Sequence, residues 1–223
     1  MGHRARRLGT LVCVLGLAGC GGSAAPGTAD PALRALEREA RPIGAGARFH
    51  PRAPTRVRGR CEPTLGARFP VHLELFAANR VVIVPAGIGV AGPRRRVAGR
   101  INGARCFGDL VTLDPTGVVL VRPGRRTLAS MFRQWGEPLS TRALAGFAAP
   151  TGTAVRVYVD GRPRRGPLRA IRLTPDAEIV LELGPYVPPH ARYAFAPLHP
   201  ATATAGRTTA AERSPRRRGP RRG

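Results

Sequence analysis

The chain has 223 residues and sets 37 basic side chains against 13 acidic ones, a formal charge of +24 at pH 7. Every basic side chain is arginine, which excludes chemistry that needs a lysine, such as a Schiff base or a phosphate-loop ammonium. Ala, Gly, Pro and Arg dominate as they do under GC-rich codon usage, so only clustering of arginine is read as function, and an aromatic content of 5% without a stacking or groove-reading motif argues against nucleic acid as a partner.

In chain order, His3, Arg4, Arg6 and Arg7 give a positive start, and residues 8–17 an apolar run too short to span a bilayer. Leu17-Ala18-Gly19-Cys20 closes that run as a box of small residues ending in cysteine. The pattern resembles the bacterial lipoprotein signal. That resemblance implies cleavage before Cys20, diacylglycerol on its thiol and acylation, for example by palmitate, of the new amino terminus. Residues 1–19 are therefore expected to be a signal peptide, and the mature chain to be anchored by lipid at the extracytoplasmic face of the cell membrane. Gly21 supplies no aspartate retention signal, so inner and outer membrane both stay open.

Residues 20–56 are rich in Gly, Ala, Pro and charge and read as a tether. Within it, Asp30 as N-cap and Pro31 at the first helical position predict a short spacer helix over residues 32–40. Residues 57–197 are expected to form one globular domain. Cys13 leaves with the signal and Cys20 takes lipid. Cys61 and Cys106 then remain in an oxidising compartment and are expected to form a disulfide, worth roughly 3–4 kcal/mol through loop closure.

Val71, Leu73 and Leu75 alternate with His72, Glu74 and Phe76, a strand with one buried face. Residues 77–80 turn the chain into a second strand at 81–84, ended by Pro85. A third strand at 117–121 follows the Asp114-Pro115 turn. The period then changes: Leu128, Met131, Phe132 and Trp135 recur at helical spacing, with Thr127 as cap and Gly136 as stop. After a flexible stretch at 143–152, Val155, Val157 and Val159 alternate up to the Asp160-Gly161 turn. Further strands are expected at Ile171 and Leu173 and at 179–183. Pro185, Pro188 and Pro189 end regular pairing, and Tyr193 and Phe195 are expected to dock the following segment on the sheet. These elements predict an α+β fold, mainly a mixed β-sheet with one amphipathic helix. Residues 155–184, with a Val-x-Val-Asp-Gly turn and a Leu-Thr-Pro-x-x-Glu-Ile corner, are similar to the last strands of a β-grasp domain.

Three blocks carry a wider resemblance: Val84-Pro85-Ala86-Gly87-Ile88-Gly89, the run from Cys106 through Asp109, Thr112 and Asp114 to Val119, and Thr127-Leu128 through Phe132 to Trp135-Gly136. Across residues 61–184 they resemble an uncharacterised family of exported bacterial and archaeal proteins. Typical members carry His-x-His in the first strand, a cysteine followed by His-Thr-His-Asp, and a later histidine, which implies metal binding. This chain reads Val111-Thr112-Leu113-Asp114 and Leu120 at the last two sets, so it is identified as a degenerate member. The first pair corresponds either to Arg68 and Pro70 or to His72 and Glu74. The surviving ligand candidates are His72, Glu74 and Asp114, a set that supports a metal-binding or metal-delivery role only as the alternative reading.

Catalytic constellations are not found. The four serines lie outside any nucleophile elbow, there is no His-Glu-x-x-His, and the nearby carboxylate pairs Glu178/Glu182 and Asp109/Asp114 read as surface ion pairs. No enzyme activity, catalytic residue, cofactor or metal is expected as the primary reading. Two arginine clusters remain. One is Arg94-Arg95-Arg96. The other is the tail at 198–223, expected to be disordered, whose Arg216, Arg217, Arg218, Arg221 and Arg222 are the candidates for contact with anionic lipids or wall polymers. The expected activity is non-catalytic binding at the cell surface.

Overall fold

The computed structural model describes residues 40–195. Cys20, the spacer helix predicted at 32–40 and the five tail arginines lie outside the described residues, apart from Ala40 itself.

The centre of the fold is β1 (Phe69–Ala77). The last strand, β12 (Glu178–Leu183), runs parallel to it, with His72 opposite Glu178 and Ala77 opposite Leu183. The other edge of β1 is shared: β6 (Val118–Val121) pairs antiparallel with its first half and β2 (Arg80–Val82) with its second. β10 (Arg156–Val159) pairs antiparallel with β12 and carries β11 (Arg162–Pro163), while β5 (Leu110–Val111) extends the sheet beyond β6. The result is a seven-stranded mixed sheet. The β10–β11 turn places Asp160 and Gly161 both at positive φ, the backbone that matches strand twist in a two-residue hairpin.

One helix, α1 (Leu128–Trp135), covers one face of this sheet. Its start is fixed by a capping box in which the Thr127 side chain accepts from the Ser130 amide and Ser130 Oγ accepts from the Thr127 amide. Gly136 ends it in the left-handed conformation. Leu128, Met131, Phe132 and Trp135 share a single hydrophobic cluster with Val71, Leu73, Leu75, Ile179 and Leu181. The α+β, mainly β architecture expected from periodicity is the one observed.

Cys61 and Cys106 are joined by a disulfide with Cα atoms 5.4 Å apart, and Glu62 bridges to Phe107 beside it. This staples an otherwise irregular segment to the hairpin of β3 (Val90–Val97) and β4 (Arg100–Phe107). That hairpin was not anticipated. It turns Arg94-Arg95-Arg96 from one cluster into two kinds of residue. Arg94 points inward and donates to the carbonyls of Pro54, Gly87 and Val90, whereas Arg95 and Arg96 are exposed.

Three other expectations are corrected. The tether does not reach residue 56: the Val81 amide donates to the Pro42 carbonyl, Gly44 to Val81 and Ile83 to Phe49, and Phe49 packs on the main core, so the folded part begins near Pro42. The stretch at 143–152 is not simply flexible, because β7 (Leu139–Ser140), β8 (Ala143–Leu144) and β9 (Phe147–Ala148) form a small sheet that buries Leu144. Ile171 and Leu173 do not form a strand: a 3₁₀ turn at Leu168–Ala170 precedes them, and Arg172 makes a single bridge to Thr127. Among the described residues, no helix is long and apolar enough to cross a membrane.

Candidate functional site

Alternation along β1 sends Val71, Leu73 and Leu75 toward α1 and His72 and Glu74 to the opposite face. Parallel pairing with β12 brings Glu178 directly beside His72 on that second face. His72 is 4% exposed and Glu178 1%, so this is not the solvated face of a half-buried strand. The expectation of one buried face for β1 is thereby corrected. The cover comes from residues 185–195, which return across the sheet.

His72 uses both ring nitrogens. Nε2 lies 2.8 Å from the Thr116 carbonyl oxygen, and Nδ1 lies 2.8 Å from Glu178 Oε2. A carbonyl can only accept, so Nε2 carries a hydrogen and donates it. Nδ1 then faces the carboxyl across a shared proton. Burial pushes the Glu178 carboxyl above the usual range, and its bond to His72 opposes that rise. The other oxygen, Glu178 Oε1, is buried with no hydrogen-bond partner among the described residues.

The turn that delivers the Thr116 carbonyl depends on Gly117. Its φ is +83°, and a Cβ there would lie 2.6 Å from the Leu73 carbonyl oxygen and 2.9 Å from His72 Nε2. Only glycine lets the backbone settle this close to the imidazole.

The returning arm completes the enclosure. Val187 is buried in a small cluster with Phe76, Tyr158 and Val180. His190 Nδ1 is 3.0 Å from both oxygens of Glu74. The Tyr193 ring stacks on His72 with centroids 3.7 Å apart and planes 14° apart, and Phe195 meets Tyr193 edge-on, as the expected docking of these aromatics requires. Burial, with help from Asp114, raises the Tyr193 hydroxyl above its ordinary range. Along the same face, Glu182 is fully buried and is bound by the Arg156 guanidinium at 3.1 Å. Burial raises the Glu182 carboxyl, and Arg156 opposes the rise.

His72, Glu74 and Glu178 can present ligand atoms that all lie within 4.8 Å of one another. Asp114, the third ligand expected from sequence, is not among them: it pairs with Arg100 and accepts from the Thr116 hydroxyl. The group that takes its place, Glu178, is 106 residues from His72, and no local spacing announces it. Pro188-Pro189 marks the arm that carries His190, but its partner Glu74 lies 116 residues away and is likewise announced by no local spacing. Val111, Leu113 and Leu120, where the resemblance places histidines, are all buried in one hydrocarbon cluster with Ile101 and Phe107. Of the carboxylate pairs expected to be surface ion pairs, Asp109 is bound by Arg122 and Arg126, whereas Glu178 and Glu182 are both buried with separate partners, which corrects the expectation for that pair. An open cleft of about 250 Å³ beside α1, lined by Phe132, Arg133, Glu137 and Arg169 among others, shares no residue with the polar cluster.

Comparison with protein-family models, curated proteins and solved structures finds no match to this chain.

Proposed function

We propose that the chain is a lipid-anchored extracytoplasmic protein of bacteria that acts by binding at the cell surface and not by catalysis. The observation that carries this reading is Leu17-Ala18-Gly19-Cys20, placed after a basic start and a short apolar run. The Cys61–Cys106 disulfide supports it, since such bonds persist in oxidising compartments outside the cytosol. It also commits the two cysteines of the folded part to each other, which leaves Cys20 free for the lipid.

Charge supports the surface role. Residues 40–195 hold twenty-five arginines and nine carboxylates. Several of those carboxylates are already bound, so Arg95, Arg96, Arg162, Arg164 and Arg165 stand exposed without an acidic partner among the described residues. Such a surface, with Arg216, Arg217, Arg218, Arg221 and Arg222 beyond it, suits anionic headgroups or wall polymers at about 1 kcal/mol per charge near a membrane. The membership in an uncharacterised exported family, in degenerate form, is part of the same proposal. A β-grasp-like fold is proposed as well, supported by the parallel pairing of the first and last strands.

The test is the native amino-terminal peptide. Mass spectrometry is expected to show a diacylglyceryl and acyl adduct on Cys20, and Cys20→Ser to move the protein out of the membrane fraction. An unmodified Cys20 with residues 1–19 still attached would remove the proposal's basis. Vesicles with anionic lipid are expected to bind the unlipidated chain in a salt-sensitive way, and neutral vesicles to bind it far less.

A further inference from the structure

We propose that His72, Glu74, Glu178 and His190 form a site for one divalent transition-metal ion, for which zinc is the best chemical fit. Three of the four groups already offer ligand atoms within 4.8 Å of one another. The fourth comes from the arm, with His190 Nδ1 3.0 Å from Glu74. An ion held tetrahedrally by nitrogen and oxygen at about 2.0–2.1 Å spaces its ligands by roughly 3.3 Å. The present contacts of 2.8 Å and 3.0 Å open by a few tenths of an ångström, the wider spacings among His72, Glu74 and Glu178, within 4.8 Å, close toward the same value as the ion draws the side chains in, and the ion takes the place of the hydrogens shared there, which pass to solvent.

The surroundings match a ligand set more closely than an ordinary ion pair. Metal-bound histidines commonly donate their second ring N–H to a carbonyl, and here the Thr116 carbonyl, seated by Gly117, already orients His72 with Nδ1 toward the carboxylates. Glu178 Oε1 is a buried oxygen with no partner among the described residues, a cost that hydrogen bonding of Oε2 to His72 leaves in place and that binding of both carboxylate oxygens to the ion removes. Two carboxylates balance a charge of +2, so the filled site is neutral where a net charge would be expensive to bury. Two imidazoles disfavour calcium and magnesium, and the absence of sulfur from the set disfavours copper(I).

The site has one open side. The Glu74 and His190 side chains are 20% and 38% exposed, whereas those of His72 and Glu178 are 6% and 1% exposed. An ion therefore arrives past the arm, and His190 closes over it.

The proposal is independent of the lipid anchor and survives or fails without it. The full chain, purified in detergent and stripped with chelator, is expected to bind one Zn²⁺ per chain in equilibrium dialysis, and its melting temperature to rise with zinc concentration. His72 and Glu178 are core groups whose variants also test folding, so the decisive substitutions are Glu74→Gln and His190→Ala at the open rim. Each is expected to weaken zinc binding by at least about 10- to 100-fold, the range seen when only the supporting partner of a ligand is lost. His50→Ala, whose ring is bound to the Gly44 carbonyl elsewhere, is expected to leave zinc affinity within twofold. Failure of the parent chain to bind zinc, or binding that neither rim substitution weakens, would overturn the assignment.

Discussion

On the α1 side of the main sheet, Val71, Leu73, Leu75, Ile179 and Leu181 share a cluster with Leu128, Met131, Phe132 and Trp135. On the opposite side the same two strands present His72, Glu74, Glu178 and Glu182, covered by eleven residues of irregular arm. Both sides exclude water from their central residues. The first does so with hydrocarbon, which gains free energy on burial, whereas the second sets ionisable groups, which lose it unless each finds a partner, beside the small apolar cluster of Phe76 and Val180. A fold that needed only stability would have filled the second side with apolar residues, as it did at Val111, Leu113 and Leu120 in the neighbouring cluster. Two histidines and two glutamates paired on that face mark it as a candidate site.

The contrast can be broken most strongly from the apolar side. Phe132→Ala is expected to destabilise the fold by about 3–5 kcal/mol, since it empties a fully enclosed position; chemical denaturation measures it. Removal of the disulfide by Cys61→Ala with Cys106→Ala comes next, at roughly 3–4 kcal/mol by loop closure over a sequence separation of 45. Neither change is expected to alter the geometry at His72. Tyr193→Ala, on the polar side, is expected to cost about 1–2 kcal/mol, mainly the lost stacking on His72 and apolar contact, while speeding amide exchange in the arm. A cost equal to that of Phe132→Ala would erase the proposed difference between the two sides.

A smaller effect sharpens the comparison through pH. Burial holds the Glu182 carboxyl above its unfolded range, so the folded state takes up a proton that the unfolded state does not. The parent chain is therefore expected to gain stability relative to Glu182→Gln as pH falls from 7 toward 5, and to lose that gain as pH rises through the folded value. Melting curves of the two proteins across this window check the sign.

Much of the apolar side was legible in the sequence and little of the polar one. The helix at Leu128–Trp135 and the strands around Val71, Val157 and Ile179 follow from periodicities that act over a few residues. The β3–β4 hairpin was hidden because Gly92-Pro93 and three consecutive arginines interrupt its alternation, and β7, β8 and β9 because they are two-residue pairings in an Ala- and Gly-rich stretch. His72 and Glu74 were singled out by the resemblance, which sets a pair of histidines in this strand. Glu178 was not joined to them, and Asp114 was, because the partner of a strand 106 residues away is set by tertiary register. The arm was read as docking through Tyr193, but its delivery of His190 to Glu74 depends on the path of a proline-rich segment that no period describes.

The claim that the second face is a built site is tested most directly by crystals of the protein grown with zinc and measured on both sides of the zinc absorption edge. The account predicts one anomalous peak per chain, about 2.0–2.2 Å from His72 Nδ1, His190 and oxygens of Glu74 and Glu178. Zinc found only at other histidines, with the His72–Glu178 hydrogen bond intact and no peak between these four side chains, would contradict it.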